Sequence, residues 1–272
     1  MLGANVSTVG GIHTGFALGD EWDLEAIQIY LTQSRMWYVP RLGEGEEEQF
    51  RAKWDKSQVK EVVSHIPFLV NLASPDASLF DKSVKRLEKE ILRAQELDVN
   101  FVVLHPGSFT TSTREEGIES TIEGLKRVLH AVDGVNICLE TMAGQGTTLG
   151  ASFGELEKII NGVDHPNIGV CFDTGHVFMA GYDITKDYAG VMSEFDEHVG
   201  IEKIKVVHIN DSKKEFNSHV DRHANIGDGK MGIEVFKELM NDKNFKDTPK
   251  VLEIPDANER TREDIKLLRG FV

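Results

Sequence analysis

Short apolar runs rich in β-branched residues alternate along this chain with longer segments of helical period. Within the longer segments, apolar residues recur every three or four positions, as they do from Phe80 to Ala94 and from Ile118 to Val132. The eight runs predicted as strands are Leu2 to Val6, Ala26 to Leu31, Glu61 to Ile66, Phe101 to His105, Asn136 to Glu140, Ile168 to Asp173, Ile204 to His208 and Lys250 to Ile254. Such alternation is typical of βα units around a parallel sheet. We therefore predict an α/β fold, a single (β/α)8 TIM barrel over residues 1–272, a length typical of that fold.

Local signals agree with this alternation of strands and helices. Ser152 followed three residues later by Glu155 has the form of a capping box, and Gly162 is placed to stop the helix that begins there. The acidic stretch that starts at Glu44 is interpreted as the solvated start of a helix. These signals predict a helix that begins at Ser152 and ends near Gly162, and another that begins near Glu44.

Composition and charge limit the possible functions. The net charge of −15 argues against a broadly basic surface that would hold nucleic acid by counterion release alone. Three divalent ions, however, would add six positive charges to one cleft and could reverse the sign locally.

Cys138 and Cys171 form no CxxC pair and are predicted to be reduced core residues. We expect a cytoplasmic monomer, because no signal peptide, membrane span or evident pairing surface is visible.

The residues suited to chemistry lie at the predicted strand ends. Six histidines and carboxylates fall at or within about one residue of a carboxyl-terminal strand end: His65, His105, Glu140, Asp173, His208 and Glu253. A single histidine in a strand is more often a hydrogen-bonded core residue, but this rim is where catalytic groups of a TIM barrel converge. Burying the three carboxylates without cations would cost several kcal/mol each. Bound metal ions are the simplest source of that charge.

Three further residues extend the predicted site beyond one ion. His176 follows Asp173 by three positions, and Asp221 and His223 are two apart, so an extended segment would present both on one side. The resulting set of five histidines and four carboxylates, without a thiolate, suits Zn, Mn or Fe and could hold about three ions. Clusters of two or three metals are the usual apparatus for hydrolysing a phosphodiester.

Six segments, in order along the chain, resemble the endonuclease IV family of apurinic/apyrimidinic endonucleases. They are SHIPFLVNLASP from Ser64, LHPGS from Leu104, LETMAGQGTTLG from Leu139, CFDTGHVFMAGYD from Cys171, HINDSK from His208 and DRHANIGDG from Asp221. The resemblance runs from GANVS to LEIP and so covers essentially the whole chain. It implies a zinc-dependent DNA repair enzyme that cuts duplex DNA on the 5′ side of an abasic site and leaves a 3′-hydroxyl.

The resemblance also implies a role for each matching residue. The first zinc would be held by His65, His105 and Glu140, the second by Glu140, Asp173, His208 and Glu253, and the third by His176, Asp221 and His223. Glu140 would bridge the first two ions, and Glu253 would orient the attacking hydroxide. Arg35 and the pair Phe68 and Leu69 fall on the positions that wedge into the base stack, and Ser212 and Lys213 are candidates for phosphate contact.

Four residues depart from the family pattern, and none is a predicted metal ligand. Asn5 stands where histidine is usual, Ser34 where glutamine is usual, Phe68 where tyrosine is usual, and Ile254 where threonine is usual. These departures affect the detail of DNA contacts and substrate preference.

Two other functions are compatible with parts of the same residue set. A sugar isomerase or epimerase of the xylose-isomerase-like barrels would use one divalent ion, for which Glu140, Asp173, His208 and Glu253 would suffice. The other donors would then have no role, which favours the nuclease. The second alternative is a lesion-binding protein that keeps the metals but no longer cleaves, and the complete ligand set argues against it.

Overall fold

The computed structural model describes residues 1–33, 35–132, 134–253 and 259–272. Within them a closed barrel of parallel strands is formed by β1 (Leu2–Asn5), β2 (Ala26–Ile29), β3 (Glu61–His65), β4 (Phe101–Leu104), β5 (Asn136–Glu140), β6 (Ile168–Asp173), β7 (Ile204–His208) and β10 (Lys250–Leu252). Strand β10 pairs with β1 and closes the barrel. The predicted TIM barrel is confirmed.

One or two helices follow each strand of the barrel. They are α1 (Gly15–Glu21), α2 (Glu46–Trp54), α3 (Ala77–Glu96), α4 (Arg114–Ala131), α5 (Phe153–Val163), α6 (Thr174–Ala180), α7 (Tyr188–His198), α8 (Glu234–Asn241) and α9 (Glu259–Arg269). A small antiparallel pair, β8 (Asp211–Ser212) and β9 (His223–Ala224), lies between β7 and α8. Both predicted helical stripes are confirmed, in α3 and α4. None of the helices in the described ranges combines the length and apolar character that a membrane crossing requires.

Strand bounds agree with the prediction for β5, β6 and β7, whereas β1 to β4 end one or two residues early. The sheet continues only partly past those ends: the Ile66 N–H still donates to the Val103 carbonyl at 2.9 Å, although β3 ends at His65. Single hydrogen bonds of this kind do not extend a strand. The predicted end of the last strand, Ile254, lies outside the described residues.

The barrel interior explains why ligand-type residues meet at one rim. A buried layer inside the barrel consists of Val63, Val103, Cys138, Cys171, Val206 and Val251. Each of these residues lies two positions before one of the six predicted strand-end ligands. Because side chains of a strand alternate between faces, each ligand points into the same interior, one layer nearer the carboxyl-terminal rim. Both cysteines are free and buried, as predicted.

Two predictions about helix ends are wrong. The Ser152 hydroxyl does accept from the Glu155 N–H, but the Glu155 carboxylate accepts instead from the N–H groups of Gly150 and Ala151. The reciprocal box is therefore absent there and forms at Thr113 and Glu116, where α4 begins. Gly162 lies inside α5, which ends one residue later with Asp164 in the left-handed conformation. A side chain at position 162 would meet Ile122 of α4, so this glycine serves close helix packing.

Candidate metal centre

The six predicted strand-end ligands converge at the carboxyl-terminal mouth of the barrel. Four of them are the last residues of their strands: His65, Glu140, Asp173 and His208. His105 and Glu253 follow β4 and β10 directly. Glu140, Asp173 and His208 are completely buried, whereas the His105 side chain is 32% exposed and marks the open side of the site.

One group of donors consists of His65, His105 and Glu140, whose ligand atoms lie close enough to share an ion. Nε2 of His65 is 3.3 Å from Oε2 of Glu140, and Nε2 of His105 is 3.0 Å from the same oxygen. The two imidazole rings meet edge to face with centroids 5.2 Å apart. Three different strands thus aim nitrogen and oxygen donors at one point.

A second group is built around the other oxygen of Glu140. Nδ1 of His208 lies 3.0 Å from Glu140 Oε1, 3.0 Å from Glu253 Oε2 and 3.8 Å from Asp173 Oδ2. These four residues also have ligand atoms within reach of a single ion. Since its two oxygens face different groups, Glu140 has the geometry of a bridging carboxylate.

The third predicted set, His176, Asp221 and His223, lies next to Asp173. His176 is on the first turn of α6, where its N–H donates to Oδ1 of the N-cap residue Asp173 at 2.7 Å, and its Nε2 is 3.3 Å from Asp221 Oδ1. Nε2 of His223 is 3.7 Å from Asp221 Oδ1 and 3.6 Å from Asp173 Oδ2. The geometry groups Asp173, His176 and His223 together, so Asp173 stands between the second and third sets. Arg222, between Asp221 and His223 in sequence, is exposed.

Hydrogen bonds fix which ring nitrogen faces the centre. Nδ1 of His65 lies 2.8 Å from the carbonyl oxygen of Ile66, and Nδ1 of His176 lies 2.9 Å from that of Thr141. Nδ1 of His223 lies 3.3 Å from the carbonyl oxygen of Glu253. Partners of this kind select the tautomer of a metal-binding histidine. Nε2 of His176 and of His223 is buried and, although Asp221 Oδ1 lies 3.3 and 3.7 Å away, neither nitrogen makes a hydrogen bond of acceptable geometry. An unsatisfied buried nitrogen beside carboxylates is what a metal position requires, so these residues fit divalent ions.

Charges in the centre are strongly coupled. Burial disfavours the ionised form of Glu253, but the charge and hydrogen bond of His208 outweigh it and lower the pKa of that carboxyl to about 2. Burial likewise opposes ionisation of Asp221, and the neighbouring His176 lowers its pKa to about 2. Burial opposes protonation of His176, but Asp173, Asp221 and Glu140 raise its pKa well above the usual range. Burial also opposes protonation of His208, whose pKa is raised well above the usual range by Cys171, Glu253 and Glu140. The carboxylates therefore stay ionised and demand cations, whether protons or metals.

Sequence reasoning missed the residues that hold these ligands in place. Gln28 on β2 binds both His208 and Glu253 through its side chain. Asn210 donates to Asp173 Oδ2 at 2.7 Å and accepts from the Glu253 N–H at 2.8 Å. Gln28 is buried on a barrel strand without any motif to mark it. Asn210 follows His208 by two positions, a spacing that could have indicated it.

The predicted DNA-contact residues differ in their accessibility. Phe68, three residues past His65, is 69% exposed, Leu69 is half-buried, and Arg35 is exposed beside a cleft. Lys213 is exposed, whereas Ser212 is fully buried and its hydroxyl binds the backbone of Lys214. Direct phosphate contact therefore fits Lys213, and Ser212 instead shapes the turn that presents it.

The departures from the family pattern lie at different depths in the structure. Asn5 ends β1 and has a buried side-chain oxygen without a hydrogen-bond partner. Phe68 has no ring hydroxyl and stands out into solvent. The other two departures, Ser34 and Ile254, lie outside the described residues.

Comparison with known proteins places this site in a family. The family described as "Xylose isomerase-like TIM barrel" matches residues 16–271. A protein of Geobacter sulfurreducens named "Probable endonuclease 4" is 41% identical over 100% of this chain and 94% of its own length. The crystal structure of endonuclease IV from Thermus thermophilus superposes with a TM-score of 0.89, at 34% identity, covering 99% of this chain and 98% of that one. A D-tagatose 3-epimerase-like protein shares the fold alone, with a TM-score of 0.76 and 22% identity over 99% of this chain and 96% of its own. The chain belongs to the endonuclease IV family.

Proposed function

We propose that this protein is a metal-dependent phosphodiesterase that cuts duplex DNA on the 5′ side of an abasic site. The products would be a 3′-hydroxyl and a 5′-deoxyribose phosphate. The observation that carries the proposal is the position of Glu140, whose two oxygens face two separate groups of donors. A carboxylate in that position suits a cluster of ions better than a single one. Membership of the endonuclease IV family supports the DNA substrate.

Nine residues are proposed to hold three Zn²⁺ ions, with Mn²⁺ or Fe²⁺ acceptable at one or more positions. The proposed ligands are His65, His105, Glu140, Asp173, His176, His208, Asp221, His223 and Glu253. When bound, such ions supply Lewis acidity that makes a nucleophile available at neutral pH and stabilises the leaving oxygen. The donor set of imidazoles and carboxylates, without a thiolate, is the chemistry that these metals prefer.

Glu140 and Glu253 are the proposed catalytic residues. The pKa of Glu253 is lowered to about 2, because His208 outweighs the effect of burial, so the carboxylate is ionised at neutral pH. Its Oε1 accepts from Gln28 and its Oε2 faces His208, which fixes the plane of the group. A fixed, ionised carboxylate can hold a proton of the attacking water at Oε2 and orient that water towards the phosphate.

Access to the lesion is assigned to residues on the rim. Arg35, Phe68 and Leu69 are proposed to wedge into the base stack of the bent duplex, a strategy that exchanges unstacking energy for contact area. An exposed phenylalanine three residues from a buried ligand is unusual for packing and suits this role. Lys213 is proposed to contact a phosphate, supported by Ser212 beneath it.

A sugar isomerase or epimerase is the second candidate, because the fold is shared with a D-tagatose 3-epimerase-like protein. Glu140, Asp173, His208 and Glu253 alone would serve a single ion in such an enzyme. The unsatisfied nitrogens of His176 and His223 would then have no purpose. Metal stoichiometry separates the two candidates, since the isomerase needs one ion and the nuclease about three.

The decisive experiment combines metal analysis with cleavage of a defined oligonucleotide. Purified, fully metallated protein should nick a duplex that contains one tetrahydrofuran abasic analogue, immediately 5′ to the lesion, and leave an undamaged duplex intact. Glu140→Gln should fold but lose the activity, whereas Glu157→Gln on the outer helix α5 should retain it. Metallated wild-type protein that leaves the lesion uncut would overturn the proposal.

A further inference from the structure

Helix α3 carries three buried charged side chains that the proposed chemistry does not use. Arg86, Glu90 and Arg93 are only 2%, 1% and 6% exposed. Their spacing of four and three residues places them on one face of the helix. Burying charges is costly unless each is paired and hydrogen-bonded, so such a stripe calls for a specific purpose.

The two arginines bind the backbone of the loop that follows β2. Nη1 of Arg86 donates to the carbonyls of Met36 and Tyr38, at 2.6 and 3.0 Å. Arg93 donates to the carbonyl of Leu31 at 2.9 Å and to that of Pro40. These four carbonyls lie on both sides of Arg35 in sequence. Two guanidinium groups thus fix both ends of the loop that presents it.

Internal pairing makes this arrangement tolerable in the interior. Glu90 Oε1 lies 2.6 Å from Nη2 of Arg86. The Thr32 hydroxyl accepts from Arg86 and donates to Glu90, so the loop itself supplies the link between the two charges. We call this cluster the α3 network; it consists of Arg86, Glu90, Arg93 and Thr32.

Packing of α3 does not explain these charges. The helix already has an apolar stripe, of which Leu87, Ile91 and Ala94 are buried in the core. The side chains of Met36 and Tyr38 are exposed, so they contribute little to holding the loop. The arginines of α3 bind the loop through its backbone carbonyls, so the side chains of the loop stay free to contact a ligand.

We propose that the α3 network consists of positioning residues that hold Arg35 in the geometry needed to enter damaged DNA. This inference rests on the proposed wedge role of Arg35. Preorganising a loop removes the cost of ordering it on binding, so the effect should appear in lesion affinity rather than in the chemical step.

Arg93→Lys tests the network directly, because lysine keeps the charge but cannot reach two carbonyls in a fixed fork. We expect the half-saturating concentration in single-turnover cleavage of the abasic duplex to rise about tenfold or more. The rate at saturation and the metal content should stay close to wild type. Amide hydrogen exchange should quicken in residues 35–39 and remain unchanged in β2. Thr32→Val, with Thr32→Ser as the conservative rescue, gives the same test if Arg93→Lys folds poorly.

Matched variants separate this idea from simple destabilisation. Ile91→Val weakens the apolar face of the same helix and should leave the half-saturating concentration unchanged. If Arg93→Lys loses saturated rate and metal content together, the network merely stabilises the barrel and the inference is wrong. An unchanged half-saturating concentration in Arg93→Lys would also overturn it.

The Arg35→Ala variant distinguishes failure of the network from failure of the wedge. If Arg35→Ala binds the lesion like wild type, the proposed wedge role itself is wrong. If Arg35→Ala is impaired while Arg93→Lys is not, only the network proposal fails. We expect Arg93→Lys to add no further loss in the Arg35→Ala background, because both act through one side chain.

Discussion

The Nε2–H of His208 donates to Oε1 of Gln28 at 2.8 Å, while the amide nitrogen of Gln28 donates to Oε1 of Glu253. A single neutral side chain therefore sets the tautomer of one proposed ligand and the orientation of another. Because Nε2 makes this hydrogen bond, Nδ1 is the nitrogen of His208 that faces Glu140 and Glu253 and that would bind a metal ion. Outer groups of this kind tune metal centres through geometry and ligand basicity.

Replacement of Gln28 should weaken metal binding without unfolding the barrel. We expect Gln28→Ala to lower the affinity for Zn²⁺ by about 10- to 100-fold, because His208 and Glu253 lose their common partner. Competition with a chromogenic chelator, read together with metal analysis, measures this affinity. Gln33→Ala, an exposed glutamine just past the same strand, is the control. Equal affinities in the two variants would show that Gln28 only fills space.

Some of this centre is readable from sequence because strand periodicity and barrel closure are strong constraints. A ligand two positions after Val63 or Val206 must face the same interior, so His65 and His208 could be placed together in advance. The role of Gln28 could not be predicted in this way, because it lies on another strand. Until the register between the strands is known, it resembles any other buried polar residue. The same holds for Arg86 and Arg93, whose carbonyl partners depend on the path of an irregular loop.

The rim residues Phe68 and Leu69 provide a test of lesion recognition. We expect Phe68→Ala combined with Leu69→Ala to lower affinity for abasic duplex by about tenfold or more, because aromatic contact with bases is worth about 1–3 kcal/mol per base. Metal content should not change. Fluorescence anisotropy with the lesion duplex and an undamaged duplex measures the specific part of binding. Leu267→Ala, an equally simple loss of exposed apolar surface on α9, should bind both duplexes as wild type does. Unaltered lesion affinity in the double variant would remove the wedge role.

Glu61, at the opposite rim of the barrel, should make stability depend on pH. Burial raises the pKa of its carboxyl to about 7, although hydrogen bonds from Val62 and Asn100 oppose the shift, and Oε1 is buried without a partner in the structure. Between the unfolded pKa of 4.5 and about 7, the folded state keeps a proton that the unfolded chain has released. The free energy of unfolding contributed by this group therefore falls as pH rises through that window.

Glu61→Gln removes this dependence because the amide stays neutral. Relative to wild type, the variant should gain about 1–2 kcal/mol of unfolding free energy at pH 8, after allowance for partial solvent screening, and nothing near pH 4. Urea unfolding of the variant and of the wild type at both pH values measures this difference. Any contribution of the metal centre cancels, because it is the same in the two proteins. Glu202→Gln, an exposed carboxyl at the same rim, should show no such gain. A gain of equal size at both pH values would contradict the assignment to ionisation.

Metal removal should cost both activity and stability, because ions that bind only the folded state add to its free energy of unfolding. At a free concentration 100 times the dissociation constant, each ion contributes about 2.7 kcal/mol. For a chain of this size we expect chelation to lower the melting temperature by at least about 5 °C, with recovery on addition of Zn²⁺. Glu140→Gln should show a much smaller difference between its metallated and chelated forms, because the bridge between two groups of donors is gone. Differential scanning calorimetry of both proteins, before and after chelation, measures these four temperatures. The same chelation-induced decrease in both proteins would mean that Glu140 is not shared between ions, and the cluster proposed here would then lose its central ligand.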